Sequence, residues 1–571
     1  MKLRNIIIAL VAVLTLSSCE DMIVRQSLVQ PSADTFFTNA TEISGGVNAC
    51  YAQVNLFVGG YGDFVYSWDG LTETVWLRGN NASDEVLGGA MDFTHNYPTT
   101  MWKNAYVGIG RCNLMISKMT ASDADLGLSE KELNQYLGEV YFLRGYYYLN
   151  LVSYFGDVPY TDVPVNTVEE ALDIPRSPAS EVYKNVYADF DKAAGYLKGS
   201  TVKAVGRATW GAAMAYKARA ALYCGDYATA KSTAKAIMTS GEYSLYPQYE
   251  TLFTEDVMRA ADNKEMIFAW DYDLNANRVH SLLLFGESRA GGGWCTVVPT
   301  QHLLDSYECT DGKYIDQSPL FNKATRFDNR DPRLHYSCYV PGDILHGLYY
   351  DTHIDSVQVW DYNAKAYVTN KDSYSFTQYC SFTGYLPKKF MEADKYGGSN
   401  NKCQNPIYLC RYAEVILTYA EACIETNDLE EGRKAINMIR QRPDVMMPEV
   451  TATSQTELRK AVRHERKIEL ALESLRLQDI RRWKTAEKIL NAPKLGRPFK
   501  GAWTDWPDVT FDENGDPVYN YNSYAPHPSS DYRIILNQKF NPSRDYLWPI
   551  PQREQLLNPS LNQNPGYSSV N

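Results

Sequence analysis

Leu133, Tyr136, Leu137, Val140, Tyr141, Leu143, Tyr147, Tyr148 and Leu151 recur at intervals of three and four residues. A strand, whose side chains alternate faces, cannot bring them to one side; a helix can. The stripe predicts a long helix that stops near Phe155-Gly156-Asp157, with Pro159 just beyond. Trp102, Tyr106, Ile109, Cys112, Asn113 and Ile116 show the same period in the preceding segment. A third helix opens at Pro178-Ala179-Ser180-Glu181 and runs to about Leu197; a fourth begins after Gly206 and reaches Tyr223. A fifth follows Gly225-Asp226 and carries Tyr227, Ala230, Ala234 and Ile237.

A helix, a short Gly-Asp turn and an alanine-rich helix form the layout of a tetratricopeptide-type pair. Ala212, Ala213, Ala215, Ala218 and Ala221 allow the close approach such a pair needs. The layout returns at residues 412–426, Asn427-Asp428 and residues 429–441, and residues 456–473 and 476–490 also read as helical. The predicted fold class is all-α, mainly helical, with tetratricopeptide-like helix pairs and long irregular loop insertions that form the ligand site. Between residues 246 and 405 the helical period fades and Gly, Asn, Asp, Tyr and Trp dominate. So long an irregular stretch inside a helical body is usually functional.

The amino terminus sets the destination. Lys2 and Arg4 precede the apolar run Ile6–Leu14, and Leu16-Ser17-Ser18-Cys19 follows. This is an export signal too short to span a bilayer, with a cysteine where bacterial lipoproteins are acylated. Residues 1–18 are read as the signal, Cys19 as the lipidation site and residues 19–33 as a tether. Residues 34–571 are read as the body: helical repeats to 245, the insertion over 246–405, further repeats over 406–490 and a wrapping tail. Several acyl chains at about 0.8 kcal/mol per CH₂ make a durable anchor.

The formal charge of −12 argues against nucleic acid, which needs clustered Lys and Arg. The chain has 43 Tyr and 11 Trp. Their flat apolar faces and hydrogen-bonding edges suit sugars, although most are expected to fill helix interfaces. The ten cysteines after Cys19 are irregularly spaced without C-x-x-C, so no zinc or redox site is indicated. Cys112, Cys224 and Cys423 lie in helical patterns and read as buried free thiols.

Several segments together resemble the SusD/RagB family of outer-membrane nutrient-binding lipoproteins. They are Gly138-Glu139-Val140-Tyr141-Phe142-Leu143-Arg144-Gly145 leading to Phe155-Gly156-Asp157-Val158-Pro159, Gly206-Arg207-Ala208-Thr209, and Arg411-Tyr412-Ala413-Glu414. Glu465-Arg466-Lys467-Ile468-Glu469-Leu470 and the closing Leu547-Trp548-Pro549-Ile550-Pro551 complete the order. The resemblance implies a site built by loops on four helix pairs, a glycan or other nutrient as ligand, and no catalysis. It also implies a SusC-like TonB-dependent β-barrel transporter as partner, with this protein as its lid. Glu20 and Asp21 after the lipidated cysteine fit, on the same resemblance, an anchor facing the cell exterior.

Enzyme motifs are scarce. His464-Glu465 lacks the second His of a zinc protease helix, and Gly291-Gly292-Gly293 leads into Trp294-Cys295 rather than a phosphate loop. No cofactor or metal is expected. Glu465, Glu469 and Glu473 share a helical face, which reads as a salt-bridge network with Arg463, Arg466, Arg476 and Arg482 as candidate cations. Two non-helical zones join aromatics to polar residues. Trp68, Trp76, Arg78 and Asn80 come from the first, and Trp270, Tyr272, Arg289 and Trp294 from the second. These eight are the predicted glycan contacts, with the glycines beside Trp294 allowing close approach of a sugar. Trp360 and Tyr362 form a poorer third pair. A peptide-binding lipoprotein and a glycosidase are the alternatives.

Overall fold

The computed structural model describes residues 36–56, 65–122, 125–202, 204–397, 401–498, 506–519 and 531–570. The predicted signal, Cys19 and the tether lie outside the described residues. The fold is mainly helical, as expected. Its body is built from α1 (Ala40–Tyr51), α2 (Asn96–Thr120), α3 (Glu130–Phe155), α4 (Ala179–Leu197), α5 (Trp210–Cys224) and α6 (Tyr227–Thr239). It continues with α7 (Tyr412–Glu425), α8 (Leu429–Arg440), α9 (Gln455–Glu469) and α10 (Arg476–Arg482).

Local chemistry explains these boundaries. Ser129 and Glu132 cap α3 reciprocally, and Gly225, at φ +80°, ends α5 in the left-handed region. Asp226 then caps α6 by accepting from the Thr229 amide. From α1 to α9 each helix packs on the next in chain order. Gly108 on α2 sits so close to Tyr147 on α3 that a Cβ would come within 2.4 Å of the ring.

α6 and α7 are neighbours in space although residues 240–411 separate them in sequence. The connection therefore leaves the helical body and returns to the same place. Its base is closed by β2 (Met266–Trp270) pairing antiparallel with β8 (Ile407–Arg411). β1 (Val75–Leu77), from the segment before α2, pairs with β3 (Val297–Pro299) and so ties the two predicted aromatic zones together. A four-stranded antiparallel sheet follows: β4 (Ile344–Leu345), β5 (Leu348–Tyr349), β6 (Gln358–Asp361) and β7 (Ala366–Thr369).

Two helix boundaries differ from expectation. The segment predicted to run to Glu473 ends at Glu469, because Leu472 and Ser474 both take φ +64°. The one predicted over 476–490 breaks after Arg482, with Lys484 at φ +57°. Cys112 and Cys423 are buried thiols, but Cys224 is exposed.

The acidic row that begins on α9 is a buried ion-pair network, yet none of the four expected cations pairs with Glu465, Glu469 or Glu473. Arg411 reaches Glu265 at 2.7 Å, Glu469 at 2.7 Å and Glu473 at 2.7 Å. Arg442 bridges Glu265 at 2.7 Å and Glu469 at 2.9 Å. Arg333, far along the insertion, reaches Glu469 at 3.0 Å and also pairs with Glu465. Arg466 and Arg482 instead hold Asp479, and Arg476 holds Glu73. Arg463 lies over the Trp483 ring. Burial pushes the Glu469 carboxyl up, but Arg442, Arg411 and Arg333 override it and hold it well below the usual carboxylate range.

Glu469→Gln keeps the shape of the side chain and removes the charge three guanidiniums share. Removing one partner of a buried network costs about 3–5 kcal/mol, read as a lower denaturation midpoint at unchanged slope. A folded pKa below the unfolded 4.5 gives stability that is present above the unfolded value. That stability is lost only as pH falls through the folded pKa. Wild type and variant should therefore converge only in strong acid.

Candidate functional site

The eight predicted contacts fall into separate places. Trp76, in the middle of β1, is 8% exposed and donates its indole N–H to Asp84 at 3.1 Å. Its ring lies 5.6 Å from Phe382. Two residues on, Arg78 donates to the Cys380 carbonyl at 3.1 Å and to the Trp294 carbonyl at 3.2 Å. The Arg78 guanidinium sits 5.4 Å from the Tyr379 ring and 5.4 Å from the Phe382 ring. Trp294 is 41% exposed and Tyr379 55%. Arg78 thus lies over the exposed Tyr379 ring and the Phe382 ring while holding the backbone carbonyl of the exposed Trp294, and Trp76 packs against Phe382.

The loop carrying Trp294 is tightly fastened. The Trp294 amide donates to Leu284 at 2.8 Å, and the indole meets Phe285 edge-on at 5.2 Å. Arg289 donates to the Gly293 carbonyl at 2.6 Å, and its own amide donates to Asp372 at 2.7 Å. Burial lifts the Asp372 carboxyl to about 6 against these amide donations. His346 closes the loop from the β4–β5 turn, its Nε2 3.2 Å from Glu287. The glycines beside Trp294 serve this packing. A Cβ on Gly293 would come within 2.3 Å of the Glu287 carbonyl, and one on Gly291 within 2.3 Å of the His346 ring.

The other predicted residues lie elsewhere. Asn80 caps the short helix Asn81–Leu87 by accepting from Ser83, and donates to Tyr97 at 2.9 Å. Trp68 stacks on Tyr154 at 4.7 Å and on Trp548 at 5.8 Å. Trp68 and Trp270 line one cavity of about 80 Å³ with Tyr146, Tyr216 and Arg219. That is well below the ~300–1,000 Å³ of ordinary small-molecule sites. Tyr272 packs edge-on against His280 at 4.7 Å. Sequence reasoning missed Tyr379, Phe382 and Asp372. Their signal was the run Tyr374-Ser375-Phe376-Thr377-Gln378-Tyr379 within a non-helical segment. Among the described residues no group of three or more His, Cys, Asp or Glu is placed to hold a metal ion.

Residues 249–567 match the model of the SusD family, and residues 71–222 match a model described as starch-binding associating with outer membrane. The chain belongs to the SusD family. SusD-like protein P2 of Formosa agariphila is 26% identical across 98% of both chains. A SusD-like carbohydrate binding protein from Bacteroides fragilis is 28% identical, with a TM-score of 0.79 over 92% of this chain and 100% of that one. The surface glycan-binding protein A of Bacteroides thetaiotaomicron, solved with laminarihexaose, shares the fold at 19% identity. Its TM-score is 0.63 over 92% of this chain and 100% of that one. SusD-family proteins bind glycans and are not catalytic, and they associate with the outer membrane.

In this SusD-family protein the His346 clasp is testable by titration. Glu287 beside it raises the His346 pKa above the ordinary 6.5 despite partial burial, and Asp394 and Asp372 act in the same direction. A raised histidine contributes stability that is fully present below 6.5 and is lost as pH rises through the folded pKa. NMR of the His346 ring should show an apparent pKa above 6.5 that falls in Glu287→Gln. An unchanged value would remove the ion pair from the account.

Proposed function

We propose that this protein captures a neutral oligosaccharide at the cell surface and passes it, uncleaved, to a SusC-like TonB-dependent transporter. The observation that carries the reading is that Arg78, after β1, joins the Trp294 carbonyl, on a loop clamped at Asp372 and His346, to the exposed Tyr379 ring of a third segment. Ring faces take the C–H faces of a sugar, and the guanidinium and nearby polar groups take its hydroxyls. Arg289 and Trp76 support the cluster from behind. Trp68, Trp270, Tyr272 and Asn80 act through packing and capping rather than ligand contact. On this reading residues 1–18 are removed, Cys19 is acylated, residues 19–33 form the tether, and residues 34–571 act as one body. The carbohydrate-binding relative from Bacteroides fragilis supports a glycan over a peptide, as does a cluster in which Arg78 and Arg289 are the only predicted cationic contacts.

Calorimetry against a panel of neutral glycans and of peptides tests the ligand class. Trp294→Ala and Tyr379→Ala should each cost about 1–3 kcal/mol, the range of single hot-spot truncations, or roughly 5- to 150-fold in affinity. Binding to peptides alone, or appearance of hydrolysis products, would overturn the reading.

The anchor and partner are tested in cells. Cys19→Ala should move the protein out of the membrane fraction, and the wild-type protein should bring down a large β-barrel protein from solubilised outer membranes. Equal membrane retention of the variant argues against acylation, and a pull-down without a barrel argues against the transporter.

A further inference from the structure

The four-stranded sheet carries a row of exposed side chains that the site above does not use. Its register pairs Ile344 with Tyr349, Leu348 with Asp361, and Trp360 with Tyr367. Moving one residue along the antiparallel β5–β6 pairing from Leu348 and Asp361 puts Tyr349 beside Trp360. Ile344, Tyr349, Trp360 and Tyr367 therefore form one lateral row across β4, β5, β6 and β7. Neighbours along the strands face the other way: Leu345 is 6% exposed and Val359 4%. The row itself faces solvent, with Ile344 55%, Tyr349 40% and Tyr367 68% exposed. Trp360 is partly exposed and meets Tyr367 edge to face at 5.2 Å. Three strand spacings of about 4.8 Å make the row about 14 Å long.

This row is tied to the loop of the candidate site through one turn. The β4–β5 turn is His346-Gly347, with φ +56° and +76°, the left-handed pair of a tight hairpin. His346 is the residue that contacts Glu287 in the loop bearing Trp294. The Ile344–Tyr349 end of the row thus lies two residues from the contact. The flanking outward positions, Gln358 and Thr369, are uncharged.

We propose that this aromatic row is a second glycan-contacting subsite, which takes the continuation of a neutral polysaccharide whose first sugars sit at Trp294. The inference rests on the glycan reading above. A stepped row of rings with neutral polar neighbours suits a sugar chain, because each ring offers a face and no charge must be matched. A subsite of this kind adds affinity only for chains long enough to reach both places, because the second contact forms intramolecularly.

The test uses the full chain in native gels containing laminarin, amylopectin or arabinoxylan, together with calorimetry against disaccharides of the same glycans, too short to reach both places. The variants are Trp360→Ala, Tyr367→Ala, their double and Trp294→Ala, with thermal melts to confirm folding. The row is supported if the double variant melts like wild type and binds a polysaccharide about 10-fold or more weakly, with disaccharide affinity unchanged. It is overturned, with the site at Trp294 intact, if only Trp294→Ala weakens polysaccharide binding. It is also overturned if the double variant retains polysaccharide but no longer brings down the barrel protein, which makes the row a protein contact. Retardation of wild type by none of the polysaccharides overturns this proposal and the glycan reading together. If the double variant fails to fold, Tyr367→Ala and Tyr349→Ala singly decide by the same comparison.

Discussion

The structure depends on one buried electrostatic junction. Glu469 ends α9 and is reached by Arg411 from the edge of β8, Arg442 from the turn after α8, and Arg333 from within the insertion. Those cations come from segments with no local reason to meet. A charge buried without a partner costs several kcal/mol, so each arrangement that omits one of them is penalised. Such a network adds little net stability compared with a well-packed apolar core, but it selects one arrangement among many. Glu473, turned by the left-handed Leu472 and Ser474, extends the junction to Lys389 at 2.8 Å. Burial among these charges pulls the Lys389 pKa down to about 8. The irregular insertion is thereby locked to the regular helices beside a hydrophobic cluster of its own that includes Tyr249, Phe253, Phe390, Ile468 and Leu472.

That lock carries through to the candidate site. β1 precedes the long helices in sequence, yet pairs with β3 of the insertion and delivers Arg78 beside Trp294. The loop from Glu287 to Trp294 is held by amide donation to Asp372, by the His346 contact and by glycines that fill its turns. The rings at its surface therefore sit on a rigid base. A rigid platform loses less conformational freedom on binding than a mobile one, and more of the stacking energy reaches the affinity.

How much of this was legible in the sequence follows from the range of each interaction. Helix periods and turns are local, so α2 to α8 were readable from apolar spacing and from turn signals such as Gly225-Asp226. The errors came where a left-handed residue without glycine stops a helix. Nothing in the side chain of Leu472 or Ser474 announces φ +64°; the buried charges around them demand it. The acidic face of α9 was legible as a network, but its cations were sought nearby because sequence spacing says nothing about Arg333, which lies 136 positions away from Glu469. Among the aromatics, residue type says nothing about whether a ring is packed or presented. Trp68 and Trp294 look alike in sequence. Yet Trp68 is packed against Tyr154 and Trp548, which also touch each other, while Trp294 stands on a loop and meets Phe285 edge-on.

The division between packed and presented rings follows from what lies underneath each. A ring in a helix or beside one, such as Trp102 at 3% exposure, is covered because the neighbouring helix must bury its own stripe. Only some rings in the insertion escape that demand, for Tyr249, Phe253, Tyr307, Tyr385 and Phe390 are buried in it. Short strands with alternating faces bury Leu345 and Val359 and turn the intervening Tyr349 and Trp360 outward. The period of two that hides half of a hairpin obliges it to display the other half. The displayed half here is aromatic, and it is this surface that the proposed glycan reading uses. The helical body's part is to hold the insertion's two ends together, at α6 and α7, so that this surface keeps its shape.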